Sequence, residues 1–546
     1  MRTVVFSMPD ITPHFFDEHW KMPGVAGPLL AANIPQHTII QADLITQRTR
    51  VRQAITAVIR EYRPQVVGLS AMAFQYYSAC RTAECVRALD PSIAIGLGGY
   101  HATTSHEEIA ASPEGALFDF MVRGEGEATF GEYLDRAEAG QPPDGVLGLS
   151  FRTGAEWVHN ARRPNLDLDR LKPPTRAVRV WKDFSFYGRR IDMFESSRGC
   201  TLDCSFCSIS GMYGRTYRRL PIEYTLTSIE DAMRHGANTL ALSDDNLGLD
   251  PDHLLRVCQA IVEHGYHRAL YMVQLPPRLV ATRPDVVEAM AAAGMRIVFL
   301  GVETIDPDRV QSMDVSRKTG AAAEYTHTAV EVLRKHRMIT TAGMIFGLPG
   351  ETPEGIERHF RWCAEQGLSI ADFMLNPYPN TRQRVALEAG GYVAGHDLRR
   401  YDGFWANTRT DWMSPWDLEY WRWYYYWRYV KLWGGPVGWS SVLPWVYYVK
   451  KYVLRPIRAF LFAVQDPVRS FERYQRRRSR VNHLFGEAYP DMFTPRTHGG
   501  KLGTLEDRAE HVATPPSSAA RGSEVGIANR EQRDPEHPVD ATRPRC

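Results

Sequence analysis

Residues 196–220 read SSRGCTLDCSFCSISGMYGRTYRRL, with Cys200, Cys204 and Cys207 in the spacing C-x3-C-x2-C and Phe206 just ahead of the last cysteine. Thiolates are soft ligands for iron, and a tight triplet in a chain otherwise sparing of cysteine points to a metal centre. A four-iron cluster held by three thiolates keeps one iron open, and an open coordination position is where a small molecule binds and reacts. Two other readings are a structural zinc with a distant fourth ligand and three unconnected buried thiols. Neither accounts for the context, a short apolar run at 191–195 feeding a glycine-containing loop.

Outward from this stretch, strand-like runs recur at 191–195, 238–242, 269–273, 296–301, 339–346 and 370–375, with helical segments between them. Six such βα repeats predict an incomplete TIM-like barrel with its site at the carboxyl ends of the strands. Those ends carry polar groups: Ser243-Asp244-Asp245-Asn246, Gly301-Val302-Glu303-Thr304, the GLPGET of 347–352 and the NPYPNT of 376–381. Any one of them alone reads equally as a helix cap or a turn.

Toward the N-terminus the pattern is similar. Apolar runs at 2–8, 37–44, 65–70, 93–98 and 118–123 alternate with amphipathic segments such as 51–62 and 76–89. That alternation predicts a doubly wound, Rossmann-like α/β domain with its ligand at the strand ends. The fourth run ends in Gly98-Gly99-Tyr100-His101 and the fifth in Arg123-Gly124-Glu125-Gly126-Glu127, where missing side chains let a flat ligand approach the backbone. Pro142-Pro143 and the proline-flanked 164–174 predict a connection. The expected organisation is thus 1–145, a linker at 146–188, a barrel at 189–390, a helical aromatic and basic region at 391–496, and a tail at 497–546.

The aromatic region holds nine of the thirteen tryptophans, between Trp405 and Trp445. A helix is predicted over 415–433, with Ser414 as its cap and Gly434-Gly435 at its end. Aromatics all around it suit a core helix of a third domain. With ten Lys and Arg against two acids over 450–480, they also suit a helix lying in a membrane interface. The tail, poor in large apolar residues, reads as disordered.

Bulk properties narrow the rest. A net charge of +2 over 546 residues implies no general affinity for nucleic acid. Eight cysteines in so long a chain form no disulfide framework and fit a reducing cytoplasm. The first strand leaves no room for a signal peptide, and no apolar run reaches spanning length.

The cysteine triplet, preceded by a Rossmann-like domain with GG and GEGE strand ends, resembles the cobalamin-dependent radical S-adenosylmethionine (SAM) family. The resemblance covers about residues 1–390. It implies a [4Fe-4S] cluster on Cys200, Cys204 and Cys207, SAM contacted by Asp245 and Glu303, and cobalamin lined by Ser70, Gly98, Gly99 and Glu125. Arg218 is expected either to face an acidic cofactor group or to be a solvated arginine. The chemistry implied is reductive cleavage of SAM to a 5′-deoxyadenosyl radical, hydrogen abstraction from an unactivated carbon and methyl transfer from methylcobalamin. An electron donor such as flavodoxin or ferredoxin and a bulky apolar substrate, a polycyclic lipid or a tetrapyrrole, follow from it. The alternatives are an oxidative cyclase of the anaerobic magnesium-protoporphyrin ester type and a non-catalytic cobalamin or iron–sulfur sensor. One departure stands out. The D-x-H-x-x-G loop of cobalamin mutases has its nearest match at Asp17 to Met22, with Met22 in the glycine position. His19 is therefore expected to be a loop residue and not a cobalt ligand, and His14 and His101 have less claim still.

Overall fold

The computed structural model describes residues 1–9, 20–320, 323–430 and 467–480. The first eight strands are β1 (Arg2–Ser7), β2 (Trp20–Lys21), β3 (Thr38–Asp43), β4 (Val66–Ser70), β5 (Ala94–Gly98), β6 (Phe120–Val122), β7 (Leu149–Thr153) and β8 (Glu156–His159). All but β2 form one sheet in the order β3-β1-β4-β5-β6-β7-β8. Its first five strands are parallel and the last two antiparallel. Along β1, Val4 and Phe6 pack on the side of helices Val51–Tyr62 and Tyr76–Leu89. Val5 packs on the other side with Phe130 and Leu134 of helix Gly126–Glu138. Burial on both faces is why these strands read as continuous apolar runs.

The sheet runs past the expected domain boundary at 145. The hairpin β7–β8, placed by the sequence reading in the linker, turns at Gly154 (φ +66°) and pairs with β6. The remaining linker is fastened down. Arg176, 1% exposed, reaches Asp192, Asp231 and the Met193 carbonyl, and Arg179 makes two bonds to Asp192.

The second sheet contains β9 (Ser185–Phe186), β10 (Arg189–Phe194), β13 (Thr239–Leu242), β14 (Leu270–Leu275), β15 (Met295–Glu303), β16 (Ile339–Phe346) and β17 (Ser369–Met374). The short pair β11 (Ser197–Arg198) and β12 (Arg218–Arg219) stands apart from it. From β10 to β17 six parallel strands follow chain order, a partial (β/α)6 barrel. At its open edge β9 lies antiparallel to β10, and β2, from the N-terminal part of the chain, pairs with β9.

The aromatic helix is Pro415–Tyr425, continued by a π-helical turn at Tyr426–Val430. Ser414 caps it as predicted, through a reciprocal pair of bonds with Asp417. The helix is core. Trp416 and Tyr425 are 1% exposed, and Trp416 meets Phe471 of helix Pro467–Arg480 edge-on at 5.2 Å. Trp433, Trp439, Trp445 and the basic residues 450–458 lie outside the described residues, as does the tail. Among the described residues no helix is long and apolar enough to cross a membrane.

Candidate active site

The three cysteines sit on a lasso, residues 199–217, whose base is closed by the antiparallel pair β11 and β12. Gly199 opens it at φ +88°, and a Cβ there would fall 2.2 Å from the Thr216 carbonyl oxygen, so only glycine fits. The far end is held by the opposite side of the barrel. Ser205 donates from its backbone to the Met313 carbonyl (3.1 Å) and from its hydroxyl to Gln383 (2.7 Å), and the Gln383 N–H returns to the Ser205 carbonyl (2.9 Å).

Cys200 Sγ accepts from the Leu202 N–H (3.4 Å) and from Asn246 Nδ2 (3.3 Å). Burial pushes the Cys204 thiol up to about 12 and the Cys207 thiol up to about 11, with the Lys318 ammonium opposing both. Buried thiols of that kind ionise when a metal takes the proton's place. Among the described residues no three His, Cys, Asp or Glu side chains converge on a point suited to one metal ion. A cubane needs no such convergence, because its thiolates each bind a different iron.

The strand ends surround this lasso. Asp244, buried, accepts from the Ser196 N–H (2.8 Å), the Ser196 hydroxyl (2.7 Å) and the Ser197 hydroxyl (2.5 Å). Asp245 accepts from the Gly199 N–H (2.8 Å) and from the Tyr100 hydroxyl (3.5 Å), and burial raises its carboxyl above the usual range. Glu303 ends β15 in the left-handed region (φ +63°) at a register shift, paired with Lys318. Desolvation pushes the Lys318 ammonium down, but Glu303 and the neighbouring thiols outweigh it and hold the amine charged. Lys318 escaped the sequence reading because a lysine on a short helical turn, 15 residues from its partner, carries no signature.

On the N-terminal side, Ser70, Gly98 and Gly99 lie together at the ends of β4 and β5, with Ser70 opposite Gly98 in register. A Cβ on Gly98 would meet only the Val122 carbonyl at 4.0 Å, and one on Gly124 nothing at all. These two bare glycines form an open ledge of the kind a flat macrocycle needs. Gly99 differs: at φ +92° its Cβ would lie 2.9 Å from the Ala71 carbonyl, so it answers to its own backbone. Glu125 is 3% exposed, and its carboxylate is taken up by Arg198, Arg218 and the Leu166 N–H. Burial works to raise its carboxyl, and the two arginines hold it below the usual range. Expected at a cofactor, Glu125 and Arg218 are found bonded to each other. His101 is 2% exposed, and burial lowers its imidazole to about 4; His14 and His19 lie outside the described residues.

The sequence pattern of the Radical SAM superfamily matches residues 194–363, and that of the B12 binding domain matches residues 29–134. The chain belongs to the cobalamin-dependent radical SAM enzymes. The two matches fall one on each sheet, and the membership brings a [4Fe-4S] cluster, SAM and cobalamin as cofactors; the thiol-bearing lasso, the strand-end carboxylates and the glycine ledge are donors and open space of the kind these groups need.

Relatives agree. An uncharacterized methyltransferase of Pyrococcus horikoshii is 25% identical over 64% of this chain and 74% of its own. The anaerobic magnesium-protoporphyrin IX monomethyl ester cyclase of Cereibacter sphaeroides is 27% identical over 59% of this chain and 53% of its own. The hopanoid C-3 methylase of Methylococcus capsulatus is 30% identical over 52% and 53%. The chain thus spans about half the length of the last two relatives. Its fold is that of the radical SAM methyltransferase TsrM of Kitasatospora setae, solved with cobalamin and a [4Fe-4S] cluster. The TM-score is 0.60 at 19% identity, over 71% of this chain and 78% of that one.

Proposed function

We propose that this radical SAM enzyme is a C-methyltransferase acting on an unactivated carbon of a bulky, lipid-like substrate. The carrying observation is the meeting of the two cofactor regions: Tyr100, just after the glycine ledge, reaches Asp245, which bonds the residue preceding Cys200. When bound, the cluster and SAM supply a carbon radical and the cobalamin supplies a methyl group. The chain's residues do the rest. Cys200, Cys204 and Cys207 would hold the cluster as its thiolate ligands. Asp245 and Glu303 offer carboxylate oxygens at the strand ends, while Lys318 sets a fixed positive charge beside the thiolates. Ser70, Gly98 and Gly124 leave room for the corrin. The apolar residues around Phe206, among them Val310, Leu348 and Leu375, keep water from the reacting centre.

Methylase relatives favour transfer, and the cyclase relative favours a second reading, oxidative ring closure. An electron donor of the flavodoxin or ferredoxin class completes either scheme. The test is anaerobic reconstitution followed by incubation with SAM, a reductant and hopanoid or tetrapyrrole candidates. Methyl transfer adds one CH2 unit to the product, and cyclisation removes hydrogen without adding carbon. Wild type is expected to cleave SAM, and the triple Cys200/Cys204/Cys207→Ala variant to lose both iron and cleavage. Full cleavage by that variant would refute the assignment.

A further inference from the structure

Both stems of the cluster lasso grip one carboxylate of the cobalamin-binding domain. Arg198 and Arg218, partners in the β11–β12 register, close the base of residues 199–217. Arg198 Nη1 donates to Glu125 Oε1 (2.9 Å), and Arg218 donates to both oxygens of the same carboxylate (2.9 and 3.0 Å). Arg198 also donates from Nη2 to Glu127 (3.0 Å) and to Glu195 (2.8 Å), and from Nε to the other Glu195 oxygen (3.0 Å). The Tyr224 hydroxyl donates to Glu195, and the Leu166 N–H to Glu125. Arg198 is 5% exposed and Glu125 3%.

Three carboxylates and two guanidiniums thus meet at one point, with Arg198, Glu125 and Glu127 withdrawn from water. Such a group is a poor way to gain net stability, since apolar residues of similar volume often do as well, but its geometry is demanding. A bidentate guanidinium–carboxylate pair fixes orientation as well as distance. Glu125 belongs to the strand-end turn beside the glycine ledge, and both arginines belong to the loop that carries the thiolates. We infer that Glu125, Arg198 and Arg218 are positioning residues that set the cluster lasso against the cobalamin ledge, so that one carboxylate determines the relative placement of the two cofactors. The inference rests on the two-cofactor reading above and deepens it.

Two variants test it. Glu125→Gln keeps the side chain's shape and removes its charge. Arg218→Gln, at a position 19% exposed, releases one stem and leaves Arg198 in place. In the apo chain, amide exchange across residues 199–217 should accelerate about tenfold or more in both variants while the two sheets exchange as in wild type. In chain loaded with iron and cobalamin, both variants should keep wild-type iron and cobalamin content, yet show altered magnetic interaction between Co(II) cobalamin and the reduced cluster by electron paramagnetic resonance. Unchanged loop exchange in both variants overturns the inference. So does loss of cobalamin by Glu125→Gln with loop exchange unchanged, which would make Glu125 a cofactor ligand. Loss of protection throughout both sheets would also overturn it, leaving an ordinary stabilising ion cluster. A wild type that takes up no cobalamin strikes the two-cofactor reading instead, and the exchange arm still reports on the lasso.

Discussion

Asp244 shows how far a single side chain in this site departs from its ordinary chemistry. Burial raises its carboxyl to about 7, against the pull of the three donors from Ser196 and Ser197. An unfolded aspartate titrates at about 3.9. The folded state therefore holds the proton longer, and this group's contribution to stability is complete below about pH 4 and lost as pH rises through about 7. Asp244→Asn should flatten that dependence: urea unfolding of apo wild type and variant should differ in pH slope between about pH 4 and 7, by on the order of 1–4 kcal/mol in total. Equal slopes would show that Asp244 stays ionised. At this scale the sequence was legible where chemistry and spacing coincide, as in the cysteine triplet. At Glu125 it did not reveal the partner, because a strand-end acid looks the same whether it meets a ligand or an arginine 73 residues away.

The central strands of the first sheet were legible because both of their faces are covered, which leaves an apolar run at β1, β4 and β5. β7 and β8 were not: EWVH is a largely exposed edge strand, LSFRT lies between it and β6, and their pairing is settled only by contact with β6. The strand ends also divide glycines that look alike in sequence. Gly98→Val places its side chain over the open ledge, and should weaken cobalamin binding about tenfold or more with little change in melting temperature. Gly99→Val forces a branched residue to φ +92° and into the Ala71 carbonyl, and should cost about 2 kcal/mol or more of fold stability. Thermal unfolding of the apo chain beside cobalamin titration separates the two effects. A Gly98→Val chain that binds cobalamin as wild type would move the corrin away from this ledge. The lasso makes a parallel demand: Gly199→Ala should lower iron incorporation, because its Cβ has no space beside Thr216.

At the scale of the whole molecule the two sheets are interleaved, with β2 from the N-terminal part lying on the barrel's edge and Trp20 packing edge-on to Phe186 at 5.3 Å. The composition of 405–445 admitted either a buried helix or one lying on lipid, since tryptophan suits both places. The fold decides for the described part: helix Pro415–Tyr425 packs against helix Pro353–Glu365, and its polar residues are consumed internally. Arg422 donates to the Asp372 carbonyl (2.9 Å) and the Phe404 carbonyl (3.0 Å), and Glu419 accepts from the Ala406 N–H (3.0 Å). Trp416, 1% exposed and stacked on Tyr420 at 5.2 Å, is the centre of this packing. Trp416→Ala should destabilise the chain by about 3–5 kcal/mol, because the cavity it leaves is walled by rigid rings. Binding to anionic vesicles, measured by sedimentation at low and high salt, should be the same in variant and wild type. A surface helix predicts the reverse, near-normal stability with weakened vesicle binding, and that result would put Trp416 at a lipid interface instead of in the core.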